Sequence, residues 1–383
     1  MNENEILSIN AFILSDKLTE PFYFSQFEYT ERKICIVKVT TADGTVGWGE
    51  GYGPATLVKA GVEFLSPLAI GRDALHHENI WYDMFRHSYD YARKGIFLSA
   101  LSAIDIALWD IKGKILGQPV STLLGGRKRE KVKLYATGLY FTNGGNMAKK
   151  LVDEALKYKA KGFGAIKMKV GLGIRQDVLN VKAVRDAIGN NTDLMIDANH
   201  AYNLADARKL LHALEDCNIT WFEEPISNDD YAGYAELRKL SKVPIAAGEC
   251  EYLKYGALEL LSRGCVDLFQ PDTCACGGIT EVKKMTALAE AYHINITPHN
   301  WGTGIAIAAN LHILSNLEMI PQKLFKDEPM LELDCSPNKL RENLLSEYPE
   351  MRNGYMHVPD KPGLGICVDE EQILEFSNSS VVV

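Results

Sequence analysis

The chain is 383 residues long, 46% hydrophobic and 24% charged, with a formal net charge of −9. Its length allows two or three domains around sizeable cores, and its acidic balance argues against nucleic acid or an anionic membrane surface as the main partner. An anionic substrate stays open, because a bound divalent cation reverses the local field inside an acidic protein.

The opening MNENEILSINAFIL shows no basic stretch followed by an apolar one, and no apolar run of about 18 residues occurs, so neither export nor a membrane span is expected. The alternating segments ILSINAFIL and ICIVKVTT lead into the turn pair Asp43-Gly44 and then TVGWGE, which predicts a small antiparallel sheet. Three helical stretches follow. The clearest runs from about Leu98 to Lys114, with Gly117 as a stop. The run GWGEGYG fails the spacing of a dinucleotide fingerprint. Residues 1–125 are therefore expected to form an α+β capping domain. The tail, 336–383, carries VPDKPGLGICVD, whose Pro and Gly punctuation predicts a segment returning to that domain. Eight cysteines (Cys35, Cys217, Cys250, Cys265, Cys274, Cys276, Cys335 and Cys367) form no C-x-x-C pair. That is the usage of reduced thiols in a cytoplasmic protein.

Between residues 126 and 335 strand-like and helix-like runs alternate. VKLYATG comes first, from Val132. Seven short apolar runs follow, AIKMKV, LMIDAN, ITWFEEP, VPIAAGE, VDLFQPD, INITPHN and PMLELD, each ending near an ionisable residue. Those residues are Lys169, Asp197, Glu223, Glu249, Asp272, His299 and Glu332, with separations of 28, 26, 26, 23, 27 and 33 residues. Such intervals are one strand plus one helix. Eight strands with helices between them predict a (β/α)7β TIM-like barrel of the α/β class, whose charged strand ends converge on one mouth.

Asp197, Glu223 and Glu249 would then lie side by side on consecutive strands, and three adjacent carboxylates repel unless a cation neutralises them. All-oxygen donors favour Mg²⁺ over zinc. Spacing does not choose between Glu223 and Glu224, although alternation along a strand sends them to opposite sides. Lys167 and Lys169, two apart, project to the same side, where two ammonium groups should lower each other toward the pKa of a general base. Asp272 and His299 end neighbouring strands, so the carboxylate can orient the imidazole as a second proton-transfer group.

The pieces KMK (Lys167–Lys169), DAN (Asp197–Asn199), FEEP (Phe222–Pro225), GE (Gly248, Glu249), QPD (Gln270–Asp272) and PHNWG (Pro298–Gly302), in this order, resemble the enolase superfamily and within it the mandelate racemase subgroup. DGTVGWGE, LSAIDIALWDIKGK, DANHAY, QPDTCACGG and EPMLELD are similar to D-galactarolactone cycloisomerases and acid-sugar dehydratases of that subgroup. The resemblance implies one Mg²⁺ per subunit on Asp197, Glu223 and Glu249. It makes Lys169 a base with Lys167 as its electrostatic neighbour, and the His299–Asp272 dyad the acid or base of the opposite face. Glu332 becomes a hydrogen-bond donor to an enolate oxygen, with Glu318 as its competitor for that place. Asn199, Tyr52 and Trp301 become substrate contacts.

The implied activity is removal of the proton α to a carboxylate of a sugar acid or lactone, then β-elimination, by a cytoplasmic homo-oligomer. A racemase or epimerase is the alternative. A sugar-acid binding protein without activity is a third reading, against which the intact set of bases argues. LTEPFYFSQ and GYGPAT, expected to cover the mouth, contain no arginine, whereas many acid-sugar enzymes of the subgroup hold a distal carboxylate with a cation.

Overall fold

A computed structural model of the chain describes residues 2–324 and 327–378. Met1, two residues of the approach to Glu332 (Phe325 and Lys326) and the end of the tail, 379–383, lie outside the described residues. Three antiparallel strands, β1 (Ile6–Tyr23), β2 (Glu28–Thr41) and β3 (Val46–Gly51), open the chain. The β2–β3 turn rests on Gly44 at φ +86° and on Asp43, whose carboxylate accepts from the Thr45 amide at 2.9 Å. Helices α1 (Ala55–Leu65), α2 (His77–Ser88) and α3 (Ile96–Ile115) cover the sheet.

The glycine run has a packing role in place of a nucleotide. A Cβ on Gly47 would lie 2.2 Å from the Ala107 carbonyl, and one on Gly49 only 1.9 Å from that of Ala103. Backbone of α3 thus sits directly on the glycine face of β3, and the i, i+4 spacing on the helix matches the i, i+2 spacing on the strand.

The barrel strands are β4 (Lys131–Gly138), β5 (Ala165–Lys169), β6 (Asp193–Asp197), β7 (Ile219–Glu223), β8 (Ile245–Ala247), β9 (Leu268–Phe269), β10 (Asn295–Ile296) and β11 (Met330–Asp334). They are parallel and paired in chain order, with β11 returning beside β4. A helix of 10 to 15 residues follows each strand from β4 to β10. Ile166, Met168, Leu194, Ile196 and Phe222 face those helices. Ala165, Met195 and Trp221, next to them in sequence, meet Tyr135 and Ala246 inside the barrel, so the same period of two sends Lys167, Lys169, Asp197 and Glu223 up toward the mouth.

Three expected positions shift. Glu249, Asp272 and His299 do not end strands; they lie two or three residues beyond Ala247, Phe269 and Ile296. Gly248 at φ +144° breaks the first ladder, and Pro271 and Pro298, which have no N–H to donate, stand directly before the other two residues. Among the described residues no ladder joins β10 to β11. Asn300 spans that seam, its amide donating to Glu332 Oε2 at 2.9 Å and its side chain to the Glu332 carbonyl at 3.0 Å.

The segment from 336 onward touches both parts of the molecule. Tyr355–His357 adds an antiparallel edge to β4, whereas Glu370, opening the last helix, meets Lys38 of β2 at 2.6 Å. No helix among the described residues is long and apolar enough to cross a membrane.

Candidate active site

Lys167 is almost fully buried inside the mouth, in contact with Glu223 Oε1, 2.8 Å from Glu332 and 3.6 Å from Asp197. Lys169 Nζ donates to Asp197 Oδ2 at 2.5 Å and to Asn199 Oδ1 at 2.8 Å. Asp197 and Glu223 are register partners on β6 and β7. Glu223 Oε2 also accepts from Trp221 Nε1 at 3.0 Å and Gln270 Nε2 at 2.7 Å. Glu224 turns the other way, toward His200 Nε2 at 3.1 Å and Asn228 at 3.0 Å, so Glu223 alone of the pair faces the lysines.

The expected mutual lowering of the two lysines does not occur here. Burial does disfavour the Lys169 ammonium, and Lys167 adds to that, but Asp197, Glu249 and Glu223 outweigh both and hold it above the usual lysine range. Lys167 is raised further, against its burial, by Glu223 and Glu332. Opposite charges at contact outweigh one like charge nearby.

On the other side of the mouth His299 Nδ1 lies 2.6 Å from Asp272 Oδ2, with Nε2 3.7 Å from Glu249. Burial pulls the imidazolium down, yet Glu249, the Asp272 bond and Glu332 carry it up to about 10. The ring of Tyr52 meets His299 edge-on at 5.3 Å. Glu332 accepts from the Thr137 hydroxyl and the Asn300 amide and pairs with Lys167. Despite its burial, Lys167 and His299 hold it near 2. It is thus an acceptor in this arrangement, not the donor that the resemblance implies. Glu318 lies away from the mouth, paired with Lys128 at 2.8 Å.

Asp197, Glu223 and Glu249 do not close on a single point: the first two face the lysines and Glu249 faces His299. Their chemistry nonetheless fits a hard divalent ion. Burial, followed by Asp197, Glu332 and Glu249, pushes Glu223 up to about 7 even with Lys167 beside it, the signature of carboxylates short of positive charge. Among the described residues the cluster of ligand atoms lying within 4.8 Å of one another is His200, Glu224 and Cys250, a grouping the sequence did not suggest.

Lys169, Glu249, His299 and Glu332 line one cavity of about 200 Å³, and Asn199, Tyr52 and Trp301 line it too. Asn199 is tied to Lys169, and Trp301 Nε1 donates to Tyr140 at 2.8 Å. The tip between β1 and β2 covers the opening, with Ser25 Oγ on the Ala198 carbonyl at 2.7 Å and Gln26 on that of Asn199 at 2.6 Å.

Sequence reading missed Thr137, Tyr29 and Glu50. Thr137 shares the inward face of VKLYATG with Tyr135, so period two could have found it. Glu50, fully buried, accepts from the Thr303 amide and hydroxyl and from the Ala306 amide. It caps the helix Gly304–Asn316 from across the molecule, and no local signal marks such a contact.

Residues 150–372 match the family model described as enolase C-terminal domain-like, and residues 8–125 match the mandelate racemase / muconate lactonizing enzyme N-terminal domain. D-galactarolactone cycloisomerase of Agrobacterium fabrum is 40% identical over 97% of this chain and 98% of its own. Arabinonate dehydratase of Saccharolobus solfataricus is 34% identical over 91% of each.

Among solved structures, 3,6-anhydro-D-galactonate cycloisomerase from Zobellia galactanivorans superposes with a TM-score of 0.89 at 48% identity, covering 97% of this chain and 99% of that one. L-talarate/galactarate dehydratase from Salmonella typhimurium LT2, liganded with Mg and L-lyxarohydroxamate, gives 0.85 at 28% identity, covering 97% and 92%. Matched nearly end to end by such relatives and by both domain models, the chain belongs to the enolase superfamily, in its mandelate racemase and muconate lactonizing enzyme branch.

Proposed function

We propose that the chain removes the proton α to the carboxylate of a sugar acid or sugar lactone and then eliminates the β-oxygen, as a cycloisomerase or dehydratase. The observation that carries this reading is that Lys169 and His299 enter one small cavity from different sides, with β4 and β11 between them. Cycloisomerases and dehydratases of sugar acids among the relatives support it.

A carbon acid of this kind is very weak, so a base near neutrality acts only where the enolate charge is met as it forms. Bound by Asp197, Glu223 and Glu249, Mg²⁺ would supply positive charge to the substrate carboxylate. Lys169 takes the α-proton, which it can do only when Asp197, the partner that raises it, is engaged elsewhere. The electron pair left on carbon forms the enolate and then expels the β-oxygen. His299, protonated at neutral pH by its acidic surroundings, gives that oxygen its proton while Asp272 holds the ring. If the oxygen belongs to a ring, the ring opens with no change in formula. If it is a free hydroxyl, water leaves. Either way an enol is left, which takes a proton from water at the β-carbon as its hydroxyl releases one, giving a 2-keto-3-deoxy acid. The free cysteines, most of them at least partly buried, suit work in a reducing cytoplasm.

Incubation with Mg²⁺ and a panel of aldonic acids, aldaric acids, anhydro acids and lactones should yield a 2-keto acid from at least one. Inversion of a stereocentre with no keto acid would establish the racemase reading. Full turnover after exhaustive chelation, or in Glu249→Gln, would overturn the metal assignment.

A further inference from the structure

One wall of the cavity is aromatic, and the described lining holds no uncommitted cation. Phe24, Phe27, Tyr29 and Trp301 line it. Phe24 stacks on Tyr29 with ring centres 5.6 Å apart, and Tyr29 lies 4.7 Å from Trp301. The cationic or potentially cationic residues among the described lining are Lys169, His200 and His299, and each already faces a carboxylate: Asp197 at 2.5 Å, Glu224 at 3.1 Å and Asp272 at 2.6 Å.

A guanidinium does stand nearby, but behind the wall. Arg32 lies 3.6 Å over the Trp301 ring and lines the neighbouring cavity, not this one. It is spent on Asp334 at 2.6 Å, with both groups buried.

Resting on the reaction proposed above, we infer that the substrate carries a single carboxylate. Its far end is uncharged and compact, an anhydro ring, a lactone ring or a terminal hydroxymethyl group laid against Tyr29 and Trp301. A second carboxylate placed there would lose its water against aromatic rings and meet no cation that a carboxylate does not already hold. The C–H face of a sugar ring loses nothing by the same contact. Open-chain aldarate dianions are therefore rejected, and the aromatic wall with its sequestered arginine is what rejects them.

The test uses the Mg²⁺-loaded enzyme with 3,6-anhydro-D-galactonate, D-galactarolactone, D-galactonate and galactarate, following keto acid formation and, in parallel, calorimetric binding. The best monoanion should bind about a hundredfold more tightly than galactarate. A ratio above about tenfold supports the inference, and one below that overturns it. Binding decides the charge preference even if no keto acid forms, in which case the proposed reaction falls instead. Tyr29→Leu, which keeps an apolar side chain but removes the ring face, should weaken binding of the best monoanion about tenfold. Unchanged affinity would remove the wall from the account.

Discussion

From β4 to β7 the barrel strands are five to eight residues long and carry Lys167, Lys169, Asp197 and Glu223 on the strands themselves. From β8 to β10 they shrink to three, two and two residues, and Glu249, Asp272 and His299 stand on turns beyond them. The first group is placed by ladder register. The second is placed by buried side-chain contacts: Asp272 accepts from the Cys274 amide at 2.6 Å, Asn300 ties the turn to Glu332, and Glu50 holds Thr303 from the N-terminal sheet. One side of the site depends on backbone pairing within the barrel, and the other depends on a different part of the chain staying docked.

Replacing the two bases gives the largest effect and separates the sides most sharply. Lys169→Ala and His299→Asn should each lower turnover by roughly 10³ to 10⁴. They should differ in a partial reaction followed by proton NMR in D₂O. Exchange of the substrate α-hydrogen should survive in His299→Asn and vanish in Lys169→Ala. The reverse would make the turn-borne group the abstracting base, and exchange in both would favour a racemase.

Glu332 sits on β11, at the seam between the two groups. Glu332→Gln should lower kcat about a hundredfold, because it removes the charge that pairs with Lys167 and weakens the acceptor of the Asn300 amide, so that groups on both sides of the site are misplaced. Glu318→Gln, at the surface pair with Lys128, should leave kcat near wild type. If the two results are exchanged, the assignment of Glu332 is wrong.

A smaller effect is expected from the docking contact. Glu50→Gln places an amide N–H where the Thr303 hydroxyl and the Ala306 amide now donate. It should lower kcat roughly tenfold by loosening the turn that carries His299, while α-hydrogen exchange through Lys169 continues. Equal loss of exchange would show that Glu50 supports the whole barrel and not one side.

The smallest effect on activity comes from a group remote from both. His312, fully buried, accepts from the Ser121 amide at Nδ1 (3.2 Å) and donates from Nε2 to the Leu364 carbonyl (3.0 Å). Burial lowers its pKa from 6.5 to about 4, so the unfolded chain binds the proton first on acidification. The stability it lends is complete above pH 6.5 and is lost as pH falls toward 4, by up to roughly 3 kcal/mol. Denaturant unfolding of wild type and His312→Gln should therefore differ less at pH 4.5 than at pH 7.5. Parallel pH profiles would assign the acid sensitivity to another group.

Much of the barrel could be read from the chain alone, because a strand and a helix of ordinary length recur at a nearly constant interval and a strand alternates its faces. That reasoning located Lys169, Asp197, Glu223, Glu249, Asp272, His299 and Glu332 in one mouth. It erred on where β8 to β10 stop, since the flanking Gly248, Pro271 and Pro298 were weighed less than the apolar runs before them. It erred again on the lysines, whose pairing with each other is visible in KMK but whose carboxylate neighbours come from three other strands.

The chain by itself determined the order of elements, the inward or outward direction of each strand residue and the set of groups that would meet, all consequences of local geometry. Only the tertiary structure decided that Arg32 is held by Asp334 behind Trp301 and that Glu50 caps a helix some 250 residues away. Those outcomes depend on distances between groups far apart in sequence. Electrostatic and hydrogen-bond energies vary steeply over a few ångströms, so they are settled only when the chain has closed.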